Sequence, residues 1–199
     1  MNSNYELLRH LTSPIVAITS RSGDRANGMI ANSSMRASLS ADEPRLSVYV
    51  HKFNESHDMI FDSGAFALHL LHEGQLDLVY ELGFKSIRDG DKLGAVPHRT
   101  GALGLPILED CYAWFECRVA NVMDAGGSTL FYGAVEHSGR GSGTAPMTPE
   151  FLRNAMPDEI EQVLRDTGVA DYLAGIEQAQ EWLRNEAPEM KAVVWRDLR

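Results

Sequence analysis

The sequence predicts a mainly β protein, an antiparallel barrel or sandwich with short inserted helices and a helical C-terminal appendage. Three observations carry that expectation. Between Pro14 and about His137, short runs of β-forming residues are bounded by Gly, Pro, Asp or Ser. Few helical patterns interrupt them, and strands do not alternate with helices as in a doubly wound sheet. Beyond Ser138 the apolar spacing becomes helical.

In chain order, PIVAITS (14–20), GMIANSS (28–34), RLSVYVH (45–51) and AFALHLL (65–71) read as the first four strands. YAWFECRVANV and STLFYGAVEH flank DAGG (124–127), a hairpin loop, and complete the set. A short helix follows the third run, capped by Asn54 or Ser56 and stopped by Gly64. GQLDLVYELG spaces Leu76, Val79, Tyr80 and Leu82 along one helical face and ends at Gly83. SGRGSGTAP (138–146) reads as a flexible linker.

Thr148-Pro149-Glu150 then opens a helix with a cap, a first-turn proline and an acidic residue near the positive end of the dipole. A further helix is expected from about Pro157 to Gly168. The next carries the stripe Val169, Tyr172, Leu173, Ile176, Ala179 and Leu183, and KAVVWR (191–196) is a last strand-like run. The expected organisation is a β domain at 1–147 and an acidic helical extension at 148–199, packed on the barrel or on a dimer partner.

A chain of 199 residues suits one domain with some appended structure. Its first ten residues are polar and lack the apolar core of a secretory signal. No apolar run approaches the ~18–20 residues that cross a bilayer, so the expected location is the cytoplasm. The net charge is −10, and residues 148–190 hold ten acidic residues against three Arg. Nonspecific nucleic-acid binding rests on phosphate neutralisation and does not fit such a chain. Nor is there a basic amphipathic stretch for anionic membranes. Cys111 and Cys117 would stand about 20 Å apart on one strand, too far for a disulfide, and read as reduced core thiols.

Several familiar chemistries find no support. There is no GxxxxGK[ST] phosphate loop, and GRGSGT lacks the βαβ setting and third glycine of a dinucleotide fingerprint. His69 and His72 in HLLH would point to opposite faces of a strand, so they do not converge on a metal. No GxSxG elbow frames a serine nucleophile.

Two polar clusters remain. NGMIANSSMRAS (27–38) begins as a strand and dissolves into small residues, Asn32, Ser33, Ser34 and Ser38. They fill a core poorly, admit a ligand close to the backbone and offer hydrogen-bonding groups. HKFNESHD (51–58) brings Lys52, Asn54, Ser56 and His57 to a helix N-terminus, where main-chain N–H groups and the dipole favour an anion. Together they suggest a pocket for a polar, phosphorylated small molecule.

The same segments, followed by DGDKLGAVPHRTGALGLPILEDCYAWFECRV and TLFYGAVEH in that order, resemble the flavin reductase-like, FMN-binding split-barrel family from about Leu11 to Thr148. The resemblance implies a six-stranded Greek-key split barrel, usually a homodimer, holding FMN or less often FAD near the subunit interface. It places Ile30, Ala31, Asn32, Ser33 and Ser34 along the isoalloxazine and makes Ser38 a flavin-holding serine. Lys52, Asn54, Ser56 and His57 fall on the segment that binds the ribityl phosphate in similar proteins. The implied activity is NAD(P)H-dependent flavin reduction, with hydride passing from nicotinamide C4 to flavin N5 and no side-chain nucleophile. Reduced flavin would then go to oxygen or to a separate oxygenase component.

The chain departs from the family pattern in three places. His69 stands where many relatives have Asn. LSADEPRL exceeds the usual Ser-x-x-Pro-Pro turn by two residues. Gly126-Gly127-Ser128 replaces a Gly-Asp-His whose His is tied to nicotinamide binding or hydride transfer. That last departure keeps two alternatives open. One is an FMN enzyme with another electron donor or an organic substrate. The other is a non-catalytic flavin-binding electron carrier that docks through its acidic helices.

Overall fold

The computed structural model describes residues 11–85, 90–158 and 160. Seven antiparallel strands form one curled sheet in the order β2-β1-β5-β8-β9-β4-β3. They are β1 (Val16–Ser22), β2 (Arg25–Ala31), β3 (Ser34–Arg36), β4 (Arg45–His51), β5 (Ala65–Leu70), β8 (Ala113–Asp124) and β9 (Ser128–Arg140). A separate ribbon pairs β6 (His98–Thr100) with β7 (Pro106–Leu108). Three helices complete the described residues: α1 (Glu55–Ser63), α2 (Leu76–Gly83) and α3 (Pro149–Ala155).

Alternation along the strands builds the core. On β4, Leu46, Val48 and Val50 are buried while Tyr49 between them is exposed, the period-2 signature of a half-buried strand. These residues meet Val16, Ile18, Phe66, Leu68 and Phe131 inside the barrel. β1 is buried on both faces. Ile15 and Ala17 look outward into a second cluster with Val79 and Leu82 of α2 and with Leu152 and Met156 of the C-terminal segment.

Close backbone approach explains two glycines. A Cβ on Gly28 would lie 2.9 Å from Leu82, and one on Gly83 3.1 Å from Ile30, so both let α2 sit directly on β2. Gly83 therefore ends the helix as its last residue rather than as a left-handed cap; Phe84 takes the cap position in a right-handed conformation. Gly64 does cap α1, at φ 66°, as expected.

All six expected strands are present, but the count of six is too low. The run GMIANSS does not continue as one strand. β2 stops at Ala31, and Ser34–Arg36 pairs with β4 as a seventh strand at the other end of the sheet. The small ribbon β6–β7 has no alternating pattern to betray it. The expected linker is also shorter, because β9 runs on to Arg140. Gly141 then presses on the Cys111 carbonyl, where a Cβ would lie 2.0 Å from the oxygen; this glycine serves tight packing.

Thr148 caps α3 as the sequence predicts, its Oγ1 accepting from Phe151 N at 3.1 Å. The rest of the expected helical extension, beyond the helical residues at 157, 158 and 160, lies outside the described residues, as does KAVVWR. No helix among the described residues is long and apolar enough to cross a membrane. Cys111 and Cys117 are both free and buried. Burial pushes the Cys111 thiol up to about 11 and Cys117 higher still, which keeps both as unreactive thiols.

Candidate functional site

β2 and β3 are separated by only Asn32 and Ser33, yet they form the two ends of the sheet. The chain therefore leaves one edge and joins the other within two residues. The hydrogen bonds record the crossing: Ser13 N donates to Asn32 O at 3.1 Å on the β1 side, and Tyr49 N donates to Ser33 O at 3.2 Å on the β4 side. This is where the barrel is split. Edge strands leave main-chain groups without a strand partner, and here only small side chains flank them. Ser33 Oγ donates to Tyr49 O at 3.0 Å. Ser34 N donates to Ser13 Oγ at 3.1 Å, and the two hydroxyls lie 3.2 Å apart.

A cavity opens on each side of the crossing. The first, about 520 Å³, has Ile30, Ala31 and Asn32 along one wall and His51, Phe84 and Arg153 around it. The second, about 570 Å³, receives Ser34 and Ser38. Ser38 Oγ accepts from Ser40 N at 3.0 Å and shapes the loop. The structure thus divides the predicted first cluster between two spaces.

Of the second cluster only His51 lines a cavity; Lys52, Asn54, Ser56 and His57 line neither. Lys52 Nζ lies 2.6 Å from Asp124 Oδ1, with its side chain only 5% exposed. Asn54 holds the cap position of α1 in an extended conformation without a side-chain capping bond. Ser56 is fully buried, its Oγ accepting from Asn27 Nδ2 at 2.9 Å. His57 is buried between Asp58 Oδ1 at 2.8 Å and Thr129 Oγ1 at 2.9 Å, with its ring edge-on to Phe131. The side chains of Ser56 and His57 thus face the protein. What this segment is seen to present outward is the side chains of Phe53 and Asp58.

Three cavity residues escaped sequence reasoning. His51 sits at the end of β4 and heads the second cluster, which was the available signal. Its Nδ1 lies 2.9 Å from Ser128 Oγ and its ring stacks on Phe53 at 5.2 Å. Desolvation lowers its pKa, against a raising hydrogen bond to the Gly127 backbone. Ser128 thus holds the histidine at the end of β4. Phe84 follows the glycine that ends α2. Arg153 arrives on α3 from far along the chain, and only tertiary packing reveals it.

A serine, a histidine and an aspartate do meet elsewhere, without triad geometry. Asp110 Oδ1 lies 3.1 Å and Ser142 Oγ 3.2 Å from the same nitrogen, His72 Nε2, and Ser142 Oγ also donates to Asp110. His72 Nδ1 accepts from Gly74 N. A relay needs the acid and the nucleophile on opposite nitrogens. This cluster instead ties three loops together.

The family model for the flavin reductase-like domain matches residues 8–152. The chain belongs to the flavin reductase-like family. It is similar to a probable flavin reductase of Rhizobium meliloti, 31% identical over 178 residues covering 83% of this chain and 56% of that protein. It thus spans little more than half of that relative's length. It is 34% identical to the NADH-dependent flavin reductase StyB of Pseudomonas fluorescens, over 63% of this chain and 70% of that one. Among solved structures it is similar to an FMN-binding protein from Thermus thermophilus, with a TM-score of 0.60 and 30% identity over 66% of this chain and 72% of that chain. The mainly β fold of this flavin reductase-like chain agrees with that neighbour's.

The first cavity fits the family's cofactor chemically. A flavin is a flat, largely apolar ring with one polar edge. The cavity offers apolar walls from Ile30 and Phe84 and polar groups from Asn32, His51 and Arg153, the usual mix of a cofactor site.

Proposed function

We propose that this chain is an NAD(P)H-dependent flavin reductase that binds FMN, with FAD as the less suited alternative, at the split between β2 and β3. The single observation that carries the reading is the crossing at Asn32–Ser33, where strand-edge main chain and a cavity of about 520 Å³ meet. A flavin bound there supplies the hydride-accepting ring.

The protein's part is to hold and orient. Main-chain groups of Ile30 to Ser34 would grip the polar edge of the ring, where negative charge gathers on reduction. Phe84 and Ile30 exclude water from the ring's flank, and His51, kept neutral by burial, limits the polar surroundings to one side. Arg153 offers a cation at the mouth for an anionic part of the flavin or the nicotinamide nucleotide. The proposed path for the ribityl phosphate runs past His51 to Lys52, Asn54 and the first turn of α1. There the dipole and main-chain N–H groups act, while Ser56 and His57 stiffen the turn from beneath. Ser34 and Ser38 are proposed to shape the adjoining strand and loop.

The test is anaerobic mixing of flavin-loaded protein with NADH and with NADPH. Loss of the flavin band near ~450 nm with either nucleotide is the expected result. A flavin that stays oxidised with both would defeat the reductase reading and favour another electron donor.

A second copy of the chain is the proposed partner for the outer face of the sheet. Tyr49 and Met123 both lie opposite Leu130 on adjacent strands, so the three share one face. Tyr49 is 41% and Met123 53% exposed, and Phe53 nearby is 45% exposed. Sedimentation velocity should find a dimer that Tyr49→Lys weakens. A wild-type monomer at micromolar concentration would contradict it. The reduced flavin's onward acceptor is proposed to be oxygen or a separate oxygenase component.

A further inference from the structure

His69 and His72 stand out in the sequence as HLLH, and the flavin reading uses neither. His72 lies where the roots of two helices meet, and its ring gives one nitrogen to each. Nδ1 accepts from Gly74 N at 3.2 Å, within the turn that leads into α2. Nε2 lies 3.1 Å from Asp110 Oδ1 and 3.2 Å from Ser142 Oγ, the serine belonging to the segment that leads to α3. An Nδ1 that accepts leaves the ring proton on Nε2, where it can be donated to the aspartate.

Further bonds carry both ties to the helices. His72 N donates to Gln75 Oε1 at 3.0 Å, and Gln75 Nε2 donates to Asp110 O. Gln75 is buried and directly precedes α2, its carbonyl accepting from Val79 N at 3.1 Å. On the other side Ser142 N donates to Cys111 O at 2.7 Å. Met147 N donates to Leu71 O at 2.7 Å, just before Thr148 caps α3. The ring is closely housed, since Gly143 has φ +81° and a Cβ there would lie 2.7 Å from His72 Cβ. From these roots α2 brings Val79 and Gly83, followed by Phe84, to the first cavity, and α3 brings Pro149, Leu152 and Arg153. His72, Gln75, Asp110 and Ser142 do not themselves line it.

We infer that His72 is a positioning residue that sets both helical walls of the first cavity from a single ring. Its Nδ1 fixes the turn before α2 and its Nε2 fixes the segment before α3, so loss of the ring loosens both. No contact between His72 and a ligand is needed. The consequence for flavin affinity rests on the reading of that cavity as the flavin site; the bridge between the two helix roots does not.

The experiment is amide hydrogen exchange and FMN titration of the full chain, comparing wild type with His72→Ala, His72→Asn and His72→Gln. A shorter amide can accept where Nδ1 does, and a longer one can donate where Nε2–H does, so each restores one tie. His72→Ala should speed exchange in both 74–84 and 142–153 and leave most of the β8–β9 hairpin, 113–140, unchanged. It should also weaken FMN binding about fivefold or more. His72→Asn should restore the first peptide only and His72→Gln the second only, each with FMN affinity between alanine and wild type. Where the alanine variant fails to fold, the two amide variants decide. Amide variants that loosen the same peptides would overturn the inference, as would loosened helices with unchanged FMN affinity. A wild type that binds no FMN would defeat the flavin reading instead, and the exchange pattern would still decide the bridge.

Discussion

Acidification from pH 6.5 to 4 is expected to cost the protein about 3 kcal/mol of stability through His69 alone. The ring lies on β5 with no exposed surface. Its Nδ1 faces Ala17 O at 3.3 Å, and its Nε2 accepts from Leu108 N at 3.2 Å. An Nε2 that accepts and an Nδ1–H that donates define a neutral ring. Desolvation, partly offset by the Ala17 carbonyl and assisted by the Arg99 charge, lowers its pKa from 6.5 to about 4.

The sign follows directly. The unfolded chain takes up a proton below 6.5, and the folded chain does so only below about 4. Stability from the neutral ring is therefore complete above pH 6.5, drains away between the two values and levels off beneath them. His69→Asn cannot titrate. It should be less stable than wild type at pH 8, where the bond from Leu108 N is weakened, and should close that gap as pH falls. Denaturant unfolding at pH 8, 6 and 4 measures it. Stability curves that stay parallel would show that His69 does not set the acid limb.

Asn32→Trp is expected to lower FMN affinity by about tenfold or more while leaving the fold intact. Asn32 is exposed, and its described hydrogen bonds run through its backbone, so an exposed substitution there should shift stability by no more than about 0.5 kcal/mol. An indole at that point would stand in the mouth of the cavity shared with Ile30 and His51 and displace a flat ring. Fluorescence titration with FMN, set beside the thermal midpoint, checks both halves. Unchanged affinity would place the flavin elsewhere.

Alternation made the strands legible. Leu46, Val48 and Val50 against Tyr49, or the runs flanking DAGG, locate β4 and the β8–β9 hairpin without tertiary information. The crossing at Asn32–Ser33 showed only as a strand too small and too polar to be packing. That it joins opposite ends of one sheet depends on pairings with Ser13 and Tyr49, which no local pattern encodes. Ser56 and His57 were legible as residues beside a helix start. Their direction was not, because it is fixed by Asn27 and Thr129 on distant strands. Arg153 and Phe84 reach the cavity only through the packing of α2 and α3 on β1 and β2.

Backbone amide hydrogen exchange with and without FMN decides whether flavin lies along the strand edge at the split. The expected result is FMN-dependent protection in peptides covering 30–34 and 51–57, with residues 35–46 unchanged. Protection confined to 35–46, or none at all under saturating FMN, would contradict it.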